Sequence, residues 1–480
     1  MKLRSYQSDL IRQTATALIR NKRVIMCAPT GSGKTVIFSE IIRRHLERDL
    51  FNRVLVLTHR TELFSQTLSA VVRTGTTVTE LKAGMPTNRI HAECRCLVAM
   101  VETLKRRDLD QFGRFTLIIV DEAHRADFFP VLEHYPDAFI IGATATPISA
   151  SKKKPLKGFY QDIALSVSIT DLIEQGYLAK PVHYKAAFDD SNLRKRAGEY
   201  TSESQFASMS NHVQYENLVQ LWQNHAGGKK TIIFNINQQH TREVDDMFRR
   251  QGVRSTALLS GDKNRDAKVS AFKSGEITVL NNCEIATTGF DIPGIECVVI
   301  NRATASLPLW LQMVGRGSRI APGKSQFEIL DFGGNIDRHG LWHLDRDWKQ
   351  IFWNPKKAGL NPAPHRECIG CGALLLASTR TCEYCGATQP TPEETERKRV
   401  LGYLEKVGAD DVEGRHIDDL TITELYHLEL AGKYKPSYVA RVARTRGELS
   451  EYARLKDYKP GWIKHQKGMG VGYTNYKVKL

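Results

Sequence analysis

Residues 28–35, Ala28-Pro29-Thr30-Gly31-Ser32-Gly33-Lys34-Thr35, constrain this chain more than any other segment. They follow an apolar run, Val24-Ile25-Met26-Cys27, and open a helical pattern over 34–48. Strand, glycine-rich turn and helix in that order make a phosphate-binding loop. Glycines let backbone N–H groups turn inward around an anion, and the helix N-terminus adds a favourable dipole. Lys34 is placed to reach the β- and γ-phosphates of a nucleotide such as ATP, and the Thr35 hydroxyl to ligate Mg²⁺, while Thr30, Gly31, Ser32 and Gly33 form the cradle. The general pattern begins with glycine; Ala28 stands there instead, which the loop accommodates if that position needs no positive φ.

The surrounding chain has the texture of a parallel sheet covered on both faces. Short apolar runs at 24–27, 54–57, 96–99, 117–120 and 139–141 read as strands, with helical patterns such as 34–48 and 61–73 between some of them. After a hinge-like stretch ending at Lys180-Pro181 the alternation resumes. Strands are expected at 231–234, 256–259, 278–280, 297–300 and 327–330, and helices at 239–251 and 264–274. Two α/β units in tandem are expected over 1–178 and 179–350. The stretch 188–212 is polar and basic, with Arg194-Lys195-Arg196, and reads as an exposed loop or helical insertion. No apolar run approaches the ~18 residues of a membrane span, and no apolar stretch follows the basic start, so a cytoplasmic location is expected.

Asp121-Glu122-Ala123-His124 follows the run 117–120 and sets two carboxylates at the end of a buried strand. Asp121 is placed to hold Mg²⁺, and Glu122 to orient and deprotonate an attacking water. With both motifs in hand, the chain resembles helicases and translocases of superfamily 2 that carry a DEAH-type box. The resemblance covers roughly residues 1–340, in the family's motif order. It implies two RecA-like, doubly wound lobes closing on ATP.

Tyr6-Gln7 looks like the glutamine motif that reads adenine, with Gln7 able to bond N6 and N7. Thr58-His59-Arg60-Thr61-Glu62-Leu63 is similar to the motif whose backbone and arginine, here Arg60, contact nucleic-acid phosphates. Thr144-Ala145-Thr146 resembles the motif linking hydrolysis to strand movement, and Thr144 and Thr146 are expected near the strand. Thr287-Thr288-Gly289-Phe290-Asp291-Ile292-Pro293 looks like the motif touching both nucleotide, through Gly289 and Asp291, and strand, through Thr288. Residues 312–319, containing Gln312, Arg316 and Arg319, are similar to the arginine-finger motif. If helical, Arg316 and Arg319 are i,i+3 neighbours and face one phosphate together.

Four of the nine cysteines form two Cys-x-x-Cys-Gly knuckles, Cys368/Cys371 and Cys382/Cys385. Four thiolates in that spacing suit a closed tetrahedral Zn²⁺ site; an iron–sulfur cluster is the competing occupant, and the symmetric pairing favours zinc. A small four-cysteine, zinc-ribbon-like module is expected over 360–390, binding nucleic acid or bracing the fold. A helical, basic C-terminal domain is expected over 391–480. Residues 431–480 hold 12 Lys/Arg against 3 Asp/Glu, within an overall net charge of +15. Aromatics alternate with cations there, as in Tyr434-Lys435-Pro436-Ser437-Tyr438 and Tyr458-Lys459-Pro460-Gly461-Trp462, either to stack on bases or to pack a small domain. With the knuckles, this looks like the RadD-like branch of bacterial repair helicases and related phage helicases.

An anionic polymer is the expected partner. The reading is an ATP-dependent DNA helicase or translocase of replication, recombination or repair, working with repair or replication proteins. An RNA helicase, a DNA-binding ATPase switch and a restriction motor subunit are the alternatives; no nuclease-like carboxylate–lysine cluster is apparent.

Overall fold

A computed structural model describes residues 3–85, 94–149, 154–210, 212–283, 292, 294–355, 363–391, 420–430, 434–458 and 462–463. The chain divides into two compact units: 1–367 with 372–377, and 368–371 with 378–480.

The first unit holds two parallel sheets. One comprises β1 (Arg23–Cys27), β2 (Val54–Thr58), β3 (Thr79–Leu81), β4 (Cys96–Met100), β5 (Leu117–Asp121), β6 (Phe139–Thr144) and β7 (Asp162–Leu165), in the order β3-β4-β2-β5-β6-β1-β7. Its strands are apolar throughout because both faces are covered. Val24 and Met26 of β1 enter one core, with Phe38 and Ile42; Ile25 and Cys27 enter the other, with Phe128 and Phe159. The period-2 pleat distributes a continuous apolar run between two cores.

The other sheet begins with β8 (Lys180–Lys185). A small antiparallel hairpin follows, β9 (Lys195–Arg196) and β10 (Glu199–Tyr200). Then come β11 (Thr231–Phe234), β12 (Ser255–Leu258), β13 (Val279–Asn282), β14 (Cys297–Ile300) and β15 (Gln326–Asp331). The order is β12-β13-β11-β14-β15-β8. The hinge-like stretch therefore runs into an edge strand: Pro181, which has no N–H to give, sits opposite Phe327 at that edge. The basic stretch near 188–212 is the hairpin followed by a helix, Ser202–Met209. A further hairpin, His365–Glu367 with Leu374–Leu376, belongs to this unit, and Leu374 enters the core beneath the second sheet.

The second unit carries the four cysteines of the knuckles and three C-terminal helices, Ile422–Leu430, Pro436–Thr445 and Leu449–Leu455. Leu425, Val439, Ala443 and Tyr452 form the helices' core, and Trp462 packs at its margin, 5.9 Å from the Tyr452 ring. Among the described residues no helix is long and apolar enough to cross a membrane.

Candidate active site

The phosphate loop leaves β1 at Ala28, whose N–H is bonded to Thr144 O at 3.0 Å. Ala28 is not among the positive-φ residues, so the first position needs no glycine. Gly31 and Gly33 do: they take φ of 86° and 82°, and Gly33 caps the helix Lys34–Arg48 from the left-handed region. Space is tight as well, since a Cβ on Gly33 would lie 2.9 Å from Gln7 Nε2.

Tyr6 and Gln7 hold the loop from behind. The Tyr6 hydroxyl donates to Ser32 O at 2.7 Å and Gln7 Nε2 to the same carbonyl at 3.1 Å, while Gln7 Oε1 accepts from Arg4 N at 3.0 Å. Both ends of the Gln7 amide are thus engaged in shaping the loop, and neither Tyr6 nor Gln7, both buried, is among the residues that line the cleft with Lys34 and Asp121.

Asp121 closes β5 and is 4% exposed, its Oδ1 accepting from Glu122 N at 3.0 Å. Glu122 has φ 56°, a left-handed conformation that costs a non-glycine residue on the order of 1 kcal/mol and is held by the surrounding structure. Its Oε2 is buried without a hydrogen bond, 3.3 Å from His124 Nδ1. Burial, then the charge of Glu122, push Asp121 above the usual carboxylate range, against the pull of Lys34. A buried and a largely buried carboxylate beside a lysine and a threonine hydroxyl fit a hydrated Mg²⁺.

Thr144 and Thr146 have no exposed surface, so in this arrangement they touch no strand directly, contrary to expectation. Thr144 Oγ1 accepts from Thr146 N at 3.1 Å and lies 3.3 Å from His124 Nδ1, joining the end of β6 to the acidic motif.

The other wall of the cleft comes from the second sheet. The helix Leu307–Val314 stops at Gly315, and a tight turn follows: Arg316 N bonds Met313 O and Gly317 N bonds Val314 O. Arg316 and Arg319 are therefore not on a helix. Arg319 forms a β-bridge with Leu178, and Lys324 Nζ donates to the carbonyls of Gly317 and Arg319 (2.7 Å to the latter), fixing the turn. Both arginines nonetheless line a cleft of about 790 Å³ with Lys34, Thr35, Asp121 and Glu122. Gln312 is buried on the helix and is not among the residues lining that cleft. A Cβ on Gly315 would meet Thr30 Cγ2 at 2.7 Å, so this turn rests directly on the phosphate loop.

Two contacts across the cleft were not apparent from sequence. Gly315 on Thr30 is one; the other is an ion pair at 3.0 Å between Glu62 Oε1 and Arg265. Arg60 lies beside it, lining a second cleft of about 440 Å³ with Asn237, Gly261 and Ser202. Thr288, Gly289 and Asp291 lie outside the described residues.

In the second unit the four thiol sulfurs of Cys368, Cys371, Cys382 and Cys385 lie within 4.8 Å of one another. Cys368 and Cys385 are 3.6 Å apart and Cys371 and Cys382 3.8 Å. A tetrahedron with metal–sulfur bonds of ~2.3 Å has edges of ~3.8 Å, so the cluster fits a single metal ion. Gly370 N and Gln389 Nε2 donate to Cys368 Sγ at 3.3 and 3.2 Å. Burial raises that thiol, but backbone N–H groups of Cys371 and Gly370 outweigh it and bring it down to about 6, favouring thiolate.

A phosphate loop, a carboxylate pair and arginines from a second sheet around one cleft define a two-lobed nucleotide hydrolase. Comparison with known proteins narrows this. Residues 1–149 match the family described as type III restriction enzyme, res subunit, and residues 213–321 the helicase conserved C-terminal domain. A 51.5 kDa protein of Lactococcus phage (isolate 7-9) is 30% identical over 395 residues, covering 80% of this chain and 82% of that one. The Saccharomyces cerevisiae protein IRC3, named for an ATP-dependent helicase activity, is 29% identical, covering 69% of this chain and 51% of its own length. This chain thus spans about half of that relative. A fragment assigned to the HsdR subunit of a type I restriction enzyme from Vibrio vulnificus YJ016 shares the fold, with a TM-score of 0.57 and 23% identity over 72% of this chain and 66% of that one. The chain belongs to helicase superfamily 2 and is an ATP-hydrolysing helicase.

Proposed function

We propose that this helicase acts on DNA, hydrolysing ATP between its lobes (1–178 and 179–350) to move along or open DNA in replication, recombination or repair in the cytoplasm, beside repair or replication proteins. The observation that carries the reading is the shared cleft, in which Lys34, Asp121 and Glu122 of one lobe meet Arg316 and Arg319 of the other.

Lys34 neutralises the β- and γ-phosphates and the loop N–H groups orient them. Thr35 and Asp121 hold Mg²⁺, which when bound offsets phosphate charge. Glu122 orients a water and takes its proton as the water oxygen attacks the γ-phosphorus and the bond to the β,γ-bridging oxygen breaks, releasing ADP. Arg316 and Arg319 stabilise the charge developing on the transferred phosphoryl, which makes hydrolysis depend on lobe closure. Gln312 acts by setting the turn that follows its helix. Thr288, Gly289 and Asp291 complete the nucleotide and strand contacts, and Arg60 binds a phosphate of the strand. Thr144 and Thr146 relay the state of Glu122 through His124. Cys368, Cys371, Cys382 and Cys385 hold Zn²⁺.

DNA is favoured by the net charge of +15 and by the restriction-enzyme subunits among the relatives, including the EcoKI endonuclease subunit of Escherichia coli, 24% identical over 68% of this chain. ATP turnover with single-stranded, duplex and forked DNA and with RNA tests the polymer; stimulation by RNA above every DNA would reverse the assignment. Strand displacement, with Glu122→Gln as the inactive control, separates a motor from a nucleotide switch.

A further inference from the structure

Between β8 and β11 the chain makes an excursion that ATP chemistry does not use. Arg194, Lys195 and Arg196 are exposed there: Lys195 and Arg196 form the first strand of the β9–β10 hairpin, opposite Tyr200 and Glu199, and Arg194 immediately precedes it. The two turn residues, Ala197 and Gly198, both have positive φ, 52° and 89°, the geometry of a tight two-residue hairpin turn. A left-handed alanine is unfavourable alone, so the flanks must hold the turn.

They do so from the second lobe. Glu199 accepts from Ala305 N at 2.8 Å and from Thr304 Oγ1 at 2.7 Å. Gln205, 1% exposed, accepts from Ala303 N at 2.9 Å and donates to Tyr200 O at 3.3 Å. Arg338 lies over the Tyr200 ring at 5.0 Å. Glu199 is the natural cross-strand partner of Arg196, yet both its oxygens are turned to the lobe. Among the described residues none of the three cations forms an ion pair; Lys195 lies only over its own hairpin's Tyr200, at 4.8 Å. A mount hydrogen-bonded to the second lobe thus carries three charges with no ion-pair partner among the described residues.

The mount sits where a ligand is expected. Residues 303–305 follow the C-terminal end of β14, the edge at which open α/β sheets bind ligands. Arg194 is tied there too: its carbonyl accepts from Thr201 N at 2.9 Å and its N–H donates to Ser204 Oγ at 3.1 Å. Between those two residues stands Ser202, which lines the second cleft with Arg60 and Asn237.

We propose that the β9–β10 hairpin is a nucleic-acid contact, its Arg194, Lys195 and Arg196 gripping backbone phosphates of the strand that runs along the Arg60 cleft. This rests on reading the chain as a nucleic-acid motor. The hairpin extends the strand path with cations held in fixed register, so it acts through charge rather than base identity.

The test compares salt dependence of single-stranded DNA binding by the full chain and by Arg194→Ala/Lys195→Ala/Arg196→Ala. Three single-strand phosphate contacts contribute about 2 to the slope of log affinity against log salt, at ~0.7 each, so the triple variant loses about 2 in slope and about fiftyfold in affinity at 0.15 M salt. The charge-preserving Arg194→Lys/Arg196→Lys keeps the wild-type slope, and thermal unfolding of all three proteins controls for folding. A triple variant with wild-type slope, or a charge-preserving variant that also loses it, overturns the hairpin assignment alone. A wild-type protein that binds no nucleic acid overturns the motor reading and the hairpin with it.

Discussion

Gly315→Ala probes the contact on which the split site depends. The added Cβ would lie 2.7 Å from Thr30 Cγ2 and 2.9 Å from Thr30 Cβ, where ordinary contact begins near 3.4 Å. The arginine turn and the phosphate loop must therefore separate by up to about 1 Å, and a misplacement of that size at reacting atoms costs about 10²-fold in rate, or ~2.7 kcal/mol of barrier. Nucleotide affinity depends mainly on the first lobe and stays within a few-fold. Steady-state ATP turnover with saturating DNA reads the rate, and equilibrium binding of a fluorescent ATP analogue reads the affinity. Thr30→Ser removes Cγ2 but keeps the hydroxyl and should restore part of the loss. The 2.9 Å approach of the same Cβ to Leu311 O lies within the turn and is not relieved. In a double-mutant cycle the pair should couple by about 1 kcal/mol or more. A Gly315→Ala protein within threefold of wild type, or a double variant no better than the single, would refute the reasoning.

Asp121 gives a pH signature. Burial and the Glu122 charge raise its folded-state pKa above the unfolded value, so its contribution to stability is fully present below about pH 4 and is lost as pH rises toward its folded value. Without nucleotide and metal, Asp121→Asn should raise the thermal midpoint relative to wild type, and the gap should widen from pH 4 to pH 8; a pH-independent gap would contradict this. The thiol cluster predicts one zinc per chain by elemental analysis, falling to none in Cys368→Ser; iron with a visible absorption band would replace zinc as the occupant.

Much of the fold was legible because both sheets are buried on both faces: runs such as 54–57 and 297–300 admit few other readings. The strands that escaped notice are short or peripheral. Thr79-Glu80-Leu81 is half-buried at one edge of the first sheet, and Asp162-Ile163-Ala164-Leu165 forms the other edge. The small hairpin was missed although Ala197-Gly198 marks its turn, since two residues on each side are too few for a pleat to declare itself. At the site, Lys34, Asp121 and Glu122 stand out in sequence because Asp121 ends a strand, Glu122 follows it, and Lys34 follows the turn after β1. The condition that Arg316 and Arg319 be helical neighbours is not met, because the helix ends at Val314 with Gly315 as its cap. A Cβ on Gly317 would come within 2.3 Å of Phe327. Thr144 and Thr146 looked like surface contacts because sequence does not reveal that β6 ends beneath His124. Gly315 and Thr30 are far apart in the chain, and such contacts exist only once two sheets have formed.

The most direct test of the central claim is ATP hydrolysis by Arg316→Ala. If the site is split between the lobes, turnover falls by about 10³-fold or more while ATP affinity changes only a few-fold, as expected for an arginine acting on the transferred phosphoryl. Turnover within tenfold of wild type would mean that the second lobe supplies no group essential to hydrolysis, and the split-site account would be wrong.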